Sequence, residues 1–170
     1  DLVASILSIA IAAGTSLVFA TIGEITTERA GVLNLGVEGM MIMGAVTAFA
    51  AAFHTNNAWT GVLTAICVGG AMALIHAFLT ITLLADQVVS GLALTLLGSG
   101  LASFLGQRLG TDGMPLVGQI GPRFEKIPLP VLSDLPLLGT SVFNRDVLSY
   151  LMYLLVPIAW YFLYRTRPGL

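Results

Sequence analysis

The amino-acid sequence predicts an all-α integral membrane protein, a polytopic helical bundle of about five transmembrane helices with a long loop between the fourth and the fifth. The first observation is composition: 56% of the 170 residues are hydrophobic, 9% are charged, and the mean hydropathy is +0.94. Soluble domains carry about 25% charged residues. The second is a set of five apolar runs that reach or approach the ~20 residues needed to cross a bilayer. The third is the concentration of most of the seven prolines in one stretch that is too broken to span.

The boundaries of the predicted elements follow from these apolar runs. The spans cover residues 2–22, 30–53, 59–84, 88–105 and 147–164, and the loop covers residues 106–146. We expect short helices and turns in the loop, and one transmembrane domain over residues 1–170. Small residues four apart in the first and third spans indicate helix-packing surfaces, with Gly61 and Gly69 in the third.

The second span differs from the others because it combines polar residues with glycines. Asn34 and Glu38 are four apart and would share one face of a helix. An ionisable residue at bilayer depth is expensive unless it faces protein or water, and transporters place solute sites at helix breaks. The sequence therefore predicts a solute pathway here. The alternative is that both residues cap the break and bond neighbouring helices. The glycines that weaken the helix are Gly31, Gly36, Gly39 and Gly44.

The fourth span carries polar or small residues at every fourth position. We favour helix packing as the role of this stripe, because hydroxyls in membrane helices commonly bond neighbouring helices or their own backbone. Near the start of the span, Gln87 and Ser90 are the candidates for function. In the third span, we interpret His76 as a hydrogen-bonded packing residue rather than a proton relay. The stripe consists of Gln87, Gly91, Thr95, Ser99 and Ser103.

The polar residues Glu24, Glu28 and Arg29 separate the first two spans. We expect a solvated connector with a local ion pair of little energetic weight. The alternative is that Arg29 anchors this connector to another subunit.

Several classes of function are excluded by composition and by missing motifs. A net charge of -2 with seven basic residues offers no surface for nucleic acid. No Walker A sequence and no cluster of metal ligands is present, so we expect neither ATP hydrolysis nor a metal site in this chain. The lone Cys67 allows no intrachain disulfide and is expected to be a small apolar filler. The chain begins at Asp1 without a basic signal region and looks trimmed.

Five spans place the two termini on opposite faces of the membrane. The polar connector, Asp86 and the C-terminal segment with Arg165 and Arg167 then share one face, and the long loop lies on the other. The first face has three arginines and the other has four basic residues. This difference is too small for the positive-inside rule to fix the orientation of the protein in the membrane.

Three segments resemble one family: GEITTERAGVLNLGVEGMMIMGA, DQVVSGLALTLLGSGLASFLGQRL and YRTRPGL. They are similar to permease subunits of bacterial ABC importers, a family that includes branched-chain amino acid, ribose and other simple-sugar permeases. The nearest branch is the nucleoside-type permease. Family chains have about twice the span content, which implies that these residues are the N-terminal part of a longer permease in the bacterial cytoplasmic membrane.

The resemblance implies transport rather than catalysis, by alternating access. The implied partners are a cytoplasmic ABC ATPase, a second permease subunit that is identical or homologous, an extracytoplasmic solute-binding protein, and membrane lipid. No cofactor is expected in this chain, since ATP would bind the ATPase. Arg165 and Arg167 would be cytoplasmic and the long loop extracytoplasmic. The implied pathway residues are Asn34, Gly36, Glu38 and Gly39, with Gln87 and Ser90 near the entrance of the adjoining helix.

The solute stays open between classes. Nucleosides come first, and a simple sugar such as ribose would suit the same amide and hydroxyl groups. A branched-chain amino acid is a weaker candidate, because no span carries a basic residue in its interior to meet the carboxylate. An intramembrane enzyme using His76 lacks a nucleophile motif, and a channel lacks a filter-like repeat.

Overall fold

The computed structural model describes residues 2–111, 114–130, 133 and 138–166. Five of its helices are long and apolar enough to cross a membrane, which confirms the predicted all-α membrane fold. The elements in chain order are α1 (Leu2–Arg29), α2 (Val37–Thr55), α3 (Ala58–Ala77) continued by a π-helical turn (Phe78–Thr82), α4 (Gln87–Arg108), β1 (Ile127–Pro128), α5 (Leu138–Val142), β2 (Asn144–Arg145) and α6 (Val147–Arg165).

The chain divides into two compact units, each described by itself. Unit 1 joins Asp1–Arg29 to Phe124–Leu170, so it is assembled from the two ends of the sequence. Unit 2 is the continuous stretch Ala30–Arg123. The single transmembrane domain expected over residues 1–170 stays a prediction.

The boundary predicted between the first span and its connector is wrong, because α1 continues to Arg29; Glu28 and Arg29 are exposed within this helix. Its threonines bond within the helix: the Thr26 hydroxyl donates to the Ile22 carbonyl at 2.7 Å, and that of Thr27 to the Glu24 carbonyl at 2.9 Å. Hydropathy predicts where a chain leaves the apolar part of the membrane. A helix can continue beyond that point, because its end depends on backbone hydrogen bonds.

Arg29 contacts the end of α6, inside unit 1. Its Nη1 donates to the carbonyl oxygen of Leu163 at 2.7 Å, and its guanidinium lies 5.1 Å from the centroid of the Tyr164 ring. A cation at this position also suits the negative end of the α6 dipole. Anchoring of Arg29 to another subunit stays a prediction.

At the opposite end of unit 1, Arg145 and Ser141 contact the start of α1. Arg145 is 5% exposed, and its Nη2 donates to the Ser8 carbonyl at 2.8 Å. The Ser141 hydroxyl donates to the Ala4 carbonyl at 3.0 Å. Because α1 and α6 meet at both ends in the same order, they run parallel, and their C-terminal ends share one face as predicted. Arg167 lies outside the described residues.

The described part of the long loop contains the short helix α5, as expected, and also an antiparallel pair of two-residue strands that the sequence did not predict. Ile127 pairs with Arg145, and Pro128 with Asn144. The Tyr150 hydroxyl lies 2.7 Å from the carbonyl oxygens of Ile127 and Phe143. This end of the loop is therefore tied to the first turns of α6.

In unit 2, α2 and α3 are joined by a tight turn and pack closely. Asn56 takes up a left-handed conformation with φ 51, and the Asn57 side chain accepts from the Trp59 amide at 2.9 Å to cap α3. A Cβ at Gly61 would lie 2.8 Å from the Ala48 carbonyl oxygen. The packing surface predicted for the third span thus holds at Gly61, whereas Gly69 has nothing within 4 Å.

Candidate functional site

The candidate site is the non-helical stretch of residues 30–36, which we call the entry segment because it leads into α2. It runs along the first turns of α4: Gly31 contacts Gln87, and a Cβ at Gly36 would lie 2.9 Å from Leu94. From Gln87 to Leu94 the helix rises about 10 Å, roughly a third of a bilayer core. The helix break predicted inside residues 30–53 is wrong as placed: α2 runs unbroken from Val37 to Thr55, through Gly39 and Gly44, and the non-helical residues precede it, beside the first third of α4.

Two local features produce this non-helical segment. Gly31 has φ +85, a left-handed conformation that glycine adopts without strain, and it lies two residues after the end of α1. The Asn34 side chain then accepts from the Gly36 amide at 3.0 Å, which forms a local turn before α2 begins at Val37. Asn34 is 8% exposed. The sequence thus ends one helix, turns, and begins the next within a few residues.

Side chains from α4 satisfy the exposed backbone of the entry segment. Gln87 bonds it twice: Oε1 accepts from the Leu33 amide at 2.7 Å, and Nε2 donates to the Gly31 carbonyl at 3.3 Å. The Thr95 hydroxyl donates to the Leu35 carbonyl at 2.9 Å. A buried backbone group without a partner costs about 1–3 kcal/mol, so these bonds allow a non-helical segment to lie inside a membrane protein.

His76 joins the same cluster from α3. Its ring is 3% exposed, with Nε2 3.1 Å from the Leu33 carbonyl oxygen and Nδ1 3.1 Å from the Ser90 hydroxyl. The π-helical turn begins two residues later, and the Thr80 hydroxyl donates to the His76 carbonyl at 2.8 Å. The hydrogen-bonded packing role predicted for His76 agrees with these contacts. Together, Asn34, His76, Gln87, Ser90 and Thr95 form what we call the polar junction.

Just beyond the polar junction, α2 and α4 are in backbone contact. A Cβ at Gly39 would lie 2.6 Å from the Leu94 carbonyl oxygen, and one at Gly98 would lie 2.5 Å from the Gly39 carbonyl oxygen. A Cβ at Gly91 would lie 2.9 Å from the Leu35 amide nitrogen. Because these neighbours are backbone atoms, glycine is required for the entry segment and α2 to approach α4 this closely.

The structure brings most of the predicted site residues together, with one exception. Asn34, Gly36, Gly39, Gln87 and Ser90 all lie at the polar junction or the adjoining backbone contact. Glu38 lies in the first turn of α2 and is exposed. The predicted common helical face of Asn34 and Glu38 is wrong, since Asn34 is buried and precedes the helix. Whether Asn34 and Glu38 contact the solute or only support the helices stays a prediction.

Sequence reasoning missed several members of the cluster as functional candidates. Gly91 and Thr95 belong to the polar and small stripe of α4, so their pattern was visible but was assigned to packing. His76 was singled out without its partners, which lie 14 and 43 residues away along the chain. The Leu33 backbone carries no sequence signal at all. Among the described residues, no group of three His, Cys, Asp or Glu side chains could hold a metal ion, and Cys67 is exposed.

Membrane-length helices around a non-helical segment held by polar side chains define a multi-pass membrane protein of the transport class. The chain matches the family described as "Branched-chain amino acid transport system / permease component" over residues 5–170. It belongs to this permease family, whose members are transport subunits and not enzymes.

Three curated relatives carry more specific names. The chain is 43% identical to "Putative glucose ABC transporter permease protein TsgC13" of Haloferax volcanii, over 98% of this chain. It is 35% identical to "Nucleoside ABC transporter permease protein NupC" of Lactococcus lactis, over 92% of this chain, and 35% identical to "Guanosine ABC transporter permease protein NupQ" of Bacillus subtilis, over 91%. In each case the match covers 50% of the relative. No solved structure matches the chain significantly.

Proposed function

We propose that this chain forms part of the solute pathway of an ATP-driven importer, with nucleosides as the solute. The observation that carries the proposal is the exposure of Glu38. Its neighbour Gly39 contacts Leu94 and Thr95, about 11 Å along α4 from the start of that helix. A carboxylate at this depth is costly in contact with lipid, so it faces water or another protein. Water and a neighbouring subunit are both expected around a carboxylate in a pathway between two permease subunits.

The predicted pathway residues take different roles in this proposal. Glu38 faces the passage, and Asn34 and Gln87 hold the entry segment that leads to it. Gly36 and Gly39 allow the backbone to lie against α4, and Ser90 supports the segment through His76. The passage would then begin where α2 begins, at a backbone whose shape is fixed by hydrogen bonds rather than by helical geometry.

The energy for uptake would come from partners. A cytoplasmic ABC ATPase binds and hydrolyses ATP, an extracytoplasmic binding protein delivers the solute, and a second permease subunit, identical or homologous, completes the passage. Each of them shifts the outward and inward states only by its differential affinity for the two. This assembly is supported by the names of the three relatives, each of which is called an ABC transporter permease protein.

Nucleosides are the first candidate solute because two of the named relatives carry nucleoside or guanosine in their names. Ribose hydroxyls and base edges also suit amide, hydroxyl and carboxylate partners. A simple sugar is the second candidate, supported by the 43% identity to a putative glucose permease. Both solutes are neutral and rich in hydroxyl groups.

Uptake of labelled nucleosides tests the proposal in cells that carry the full-length gene, its deletion, or the Glu38→Gln variant. Deletion is expected to abolish uptake. Glu38→Gln is expected to lower it by about tenfold, the equivalent of ~1.4 kcal/mol in a barrier, because the charge facing the passage is lost. Glu28→Gln is the matched control, since Glu28 is exposed in the last turn of α1, outside the polar junction.

Competition with excess glucose, ribose and leucine separates the candidate solutes. Nucleoside uptake that is unaffected by all three supports the first candidate. Unchanged nucleoside uptake after deletion, together with loss of glucose or ribose uptake, would replace it with the second.

A further inference from the structure

We propose that His76 is a positioning residue of the pathway, and that it acts through one bond, from its Nε2 to the Leu33 carbonyl oxygen. The inference rests on the proposed function, because the segment that His76 holds is the one assigned to the passage. The same ring also contacts Ser90, so two hydrogen bonds compete for the role. The partners of each nitrogen decide between them.

The proton on the ring is assigned by the Leu33 contact. A carbonyl oxygen only accepts hydrogen bonds, so the nitrogen 3.1 Å from it must donate. In the neutral ring, Nδ1 is then an acceptor, and it receives the bond of the Ser90 hydroxyl at 3.1 Å. The ring thus gives its single proton to the entry segment and accepts from α4.

Leu33 is held at both of its backbone groups by different helices. Gln87 of α4 accepts from its amide at 2.7 Å, and His76 of α3 contacts its carbonyl. Asn34 follows directly, and its turn to Gly36 sets where α2 begins. A shift at the Leu33 carbonyl therefore moves the start of α2 and, with it, the first-turn carboxylate of Glu38.

The Ser90 contact has a different effect. The Ser90 side chain is on α4, which already packs against the entry segment through glycine backbone contacts. Loss of the Ser90 hydroxyl would leave those contacts in place. Loss of the His76 donor would leave the half-buried Leu33 carbonyl without this partner, in a segment that has no helical bonding of its own to replace it.

Two amide substitutions separate the two bonds. In His76→Gln, the side-chain amide reaches the position of Nε2 and can donate to Leu33. In His76→Asn, the shorter amide reaches the position of Nδ1 and can bond only Ser90. Ser90→Ala removes the second bond while the histidine stays. All three are made in the full-length protein.

Two measurements are needed: nucleoside uptake in cells, and hydrogen–deuterium exchange of the purified protein in lipid nanodiscs. We expect His76→Gln to retain native uptake within about twofold, Ser90→Ala to lose about threefold because its bond only orients the histidine ring, and His76→Asn to lose about tenfold, as for one hydrogen bond. Exchange is expected to rise about tenfold in His76→Asn in peptides covering residues 30–36, and to stay native in peptides from the second half of α2.

Equal behaviour of His76→Gln and His76→Asn in either measurement overturns the proposal, as does a loss in Ser90→Ala that matches His76→Asn. Faster exchange throughout α2 in His76→Asn would also contradict it, because it would indicate general unfolding. If the native protein takes up neither nucleosides nor sugars, the proposed function has failed. The exchange pattern still decides whether His76 positions the entry segment.

Discussion

The two units hold their membrane helices in different ways. In unit 2, α2 and α4 touch through backbone atoms at Gly39 and Gly98, and α2 and α3 do so at Gly61. In unit 1, Gly14 and Gly23 of α1 have nothing within 4 Å. There, side chains donate to backbone carbonyls near the helix ends, from Arg29 to α6 and from Arg145 to α1.

The difference separates two sources of stability in lipid. Close backbone approach gains dispersion along the whole contact and tolerates no added atom. Hydrogen bonds near the ends of helices depend on a few polar groups. Unit 2, which holds the candidate site, is therefore expected to be sensitive to added volume, and unit 1 to the loss of single polar groups.

The largest effect is expected from Gly98→Ala. The added methyl would lie 2.5 Å from the Gly39 carbonyl oxygen, and neither backbone can turn aside as a flexible side chain would. We expect a loss of about 3 kcal/mol in the free energy of unfolding, measured by denaturant titration of the full-length protein in micelles. Gly100→Ala, two residues further on the same helix with nothing within 4 Å, is the control and should be neutral or slightly stabilising. Equal losses in the two variants would contradict the claim that unit 2 is sensitive to added volume at its backbone contacts.

A smaller loss is expected from Arg145→Met in unit 1. The guanidinium donates to the Ser141 carbonyl at 2.6 Å and to the Ser8 carbonyl at 2.8 Å, and methionine fills the volume without donating. We expect the free energy of unfolding to fall by about 2 kcal/mol in the same titration. Arg123→Met replaces an exposed arginine and should change little. A native-like Arg145→Met would show that packing alone joins the ends of α1 and α6.

The smallest effect is expected from Thr15→Val, where α1 contacts the first turn of α6. The Thr15 hydroxyl donates to the Ile11 carbonyl at 2.8 Å and lies 3.5 Å from the Ser149 hydroxyl. We expect a loss of about 0.5 kcal/mol in the free energy of unfolding, typical of one hydrogen bond between membrane helices.

Thr21→Val is the matched control for Thr15. The Thr21 hydroxyl also donates to its own helix, to the Leu17 carbonyl at 2.8 Å, but it is exposed. The difference between the two variants isolates the contact with Ser149. A Thr15→Val loss as large as that of Arg145→Met would mean that this hydroxyl contact matters as much as the bonds of the arginine.

Much of the fold could be predicted from the sequence, because lipid imposes a length on every spanning helix. All five spans were identified, and the fourth and fifth agree with α4 and α6 to within a few residues. The end of α1 was placed too early, because Glu24 to Arg29 are polar yet continue the helix. Hydropathy reports the solvent around a residue and not its backbone bonding.

The candidate site could be predicted only in part, because glycine, which lacks a Cβ, has two different structural roles here. Gly31 ends a helix through its positive φ, whereas Gly39 lies inside α2 and permits contact with α4. The same residue type in the same span gives no indication which glycine does which. The bond from His76 to Leu33 involves a backbone carbonyl, which no side-chain pattern can reveal.

The assembly of unit 1 from both ends of the sequence has a consequence for synthesis in the cell. Arg29 and its partner Leu163 are 134 residues apart, and ribosomes add about 5–20 residues per second. For roughly 7–27 s, α1 is therefore in the membrane without the helix that receives its bonds. Unit 2 is contiguous and can form its contacts during that interval. The order of translation thus favours formation of the contacts within unit 2 before those of unit 1, with α1 as the part of unit 1 that waits longest for its contacts.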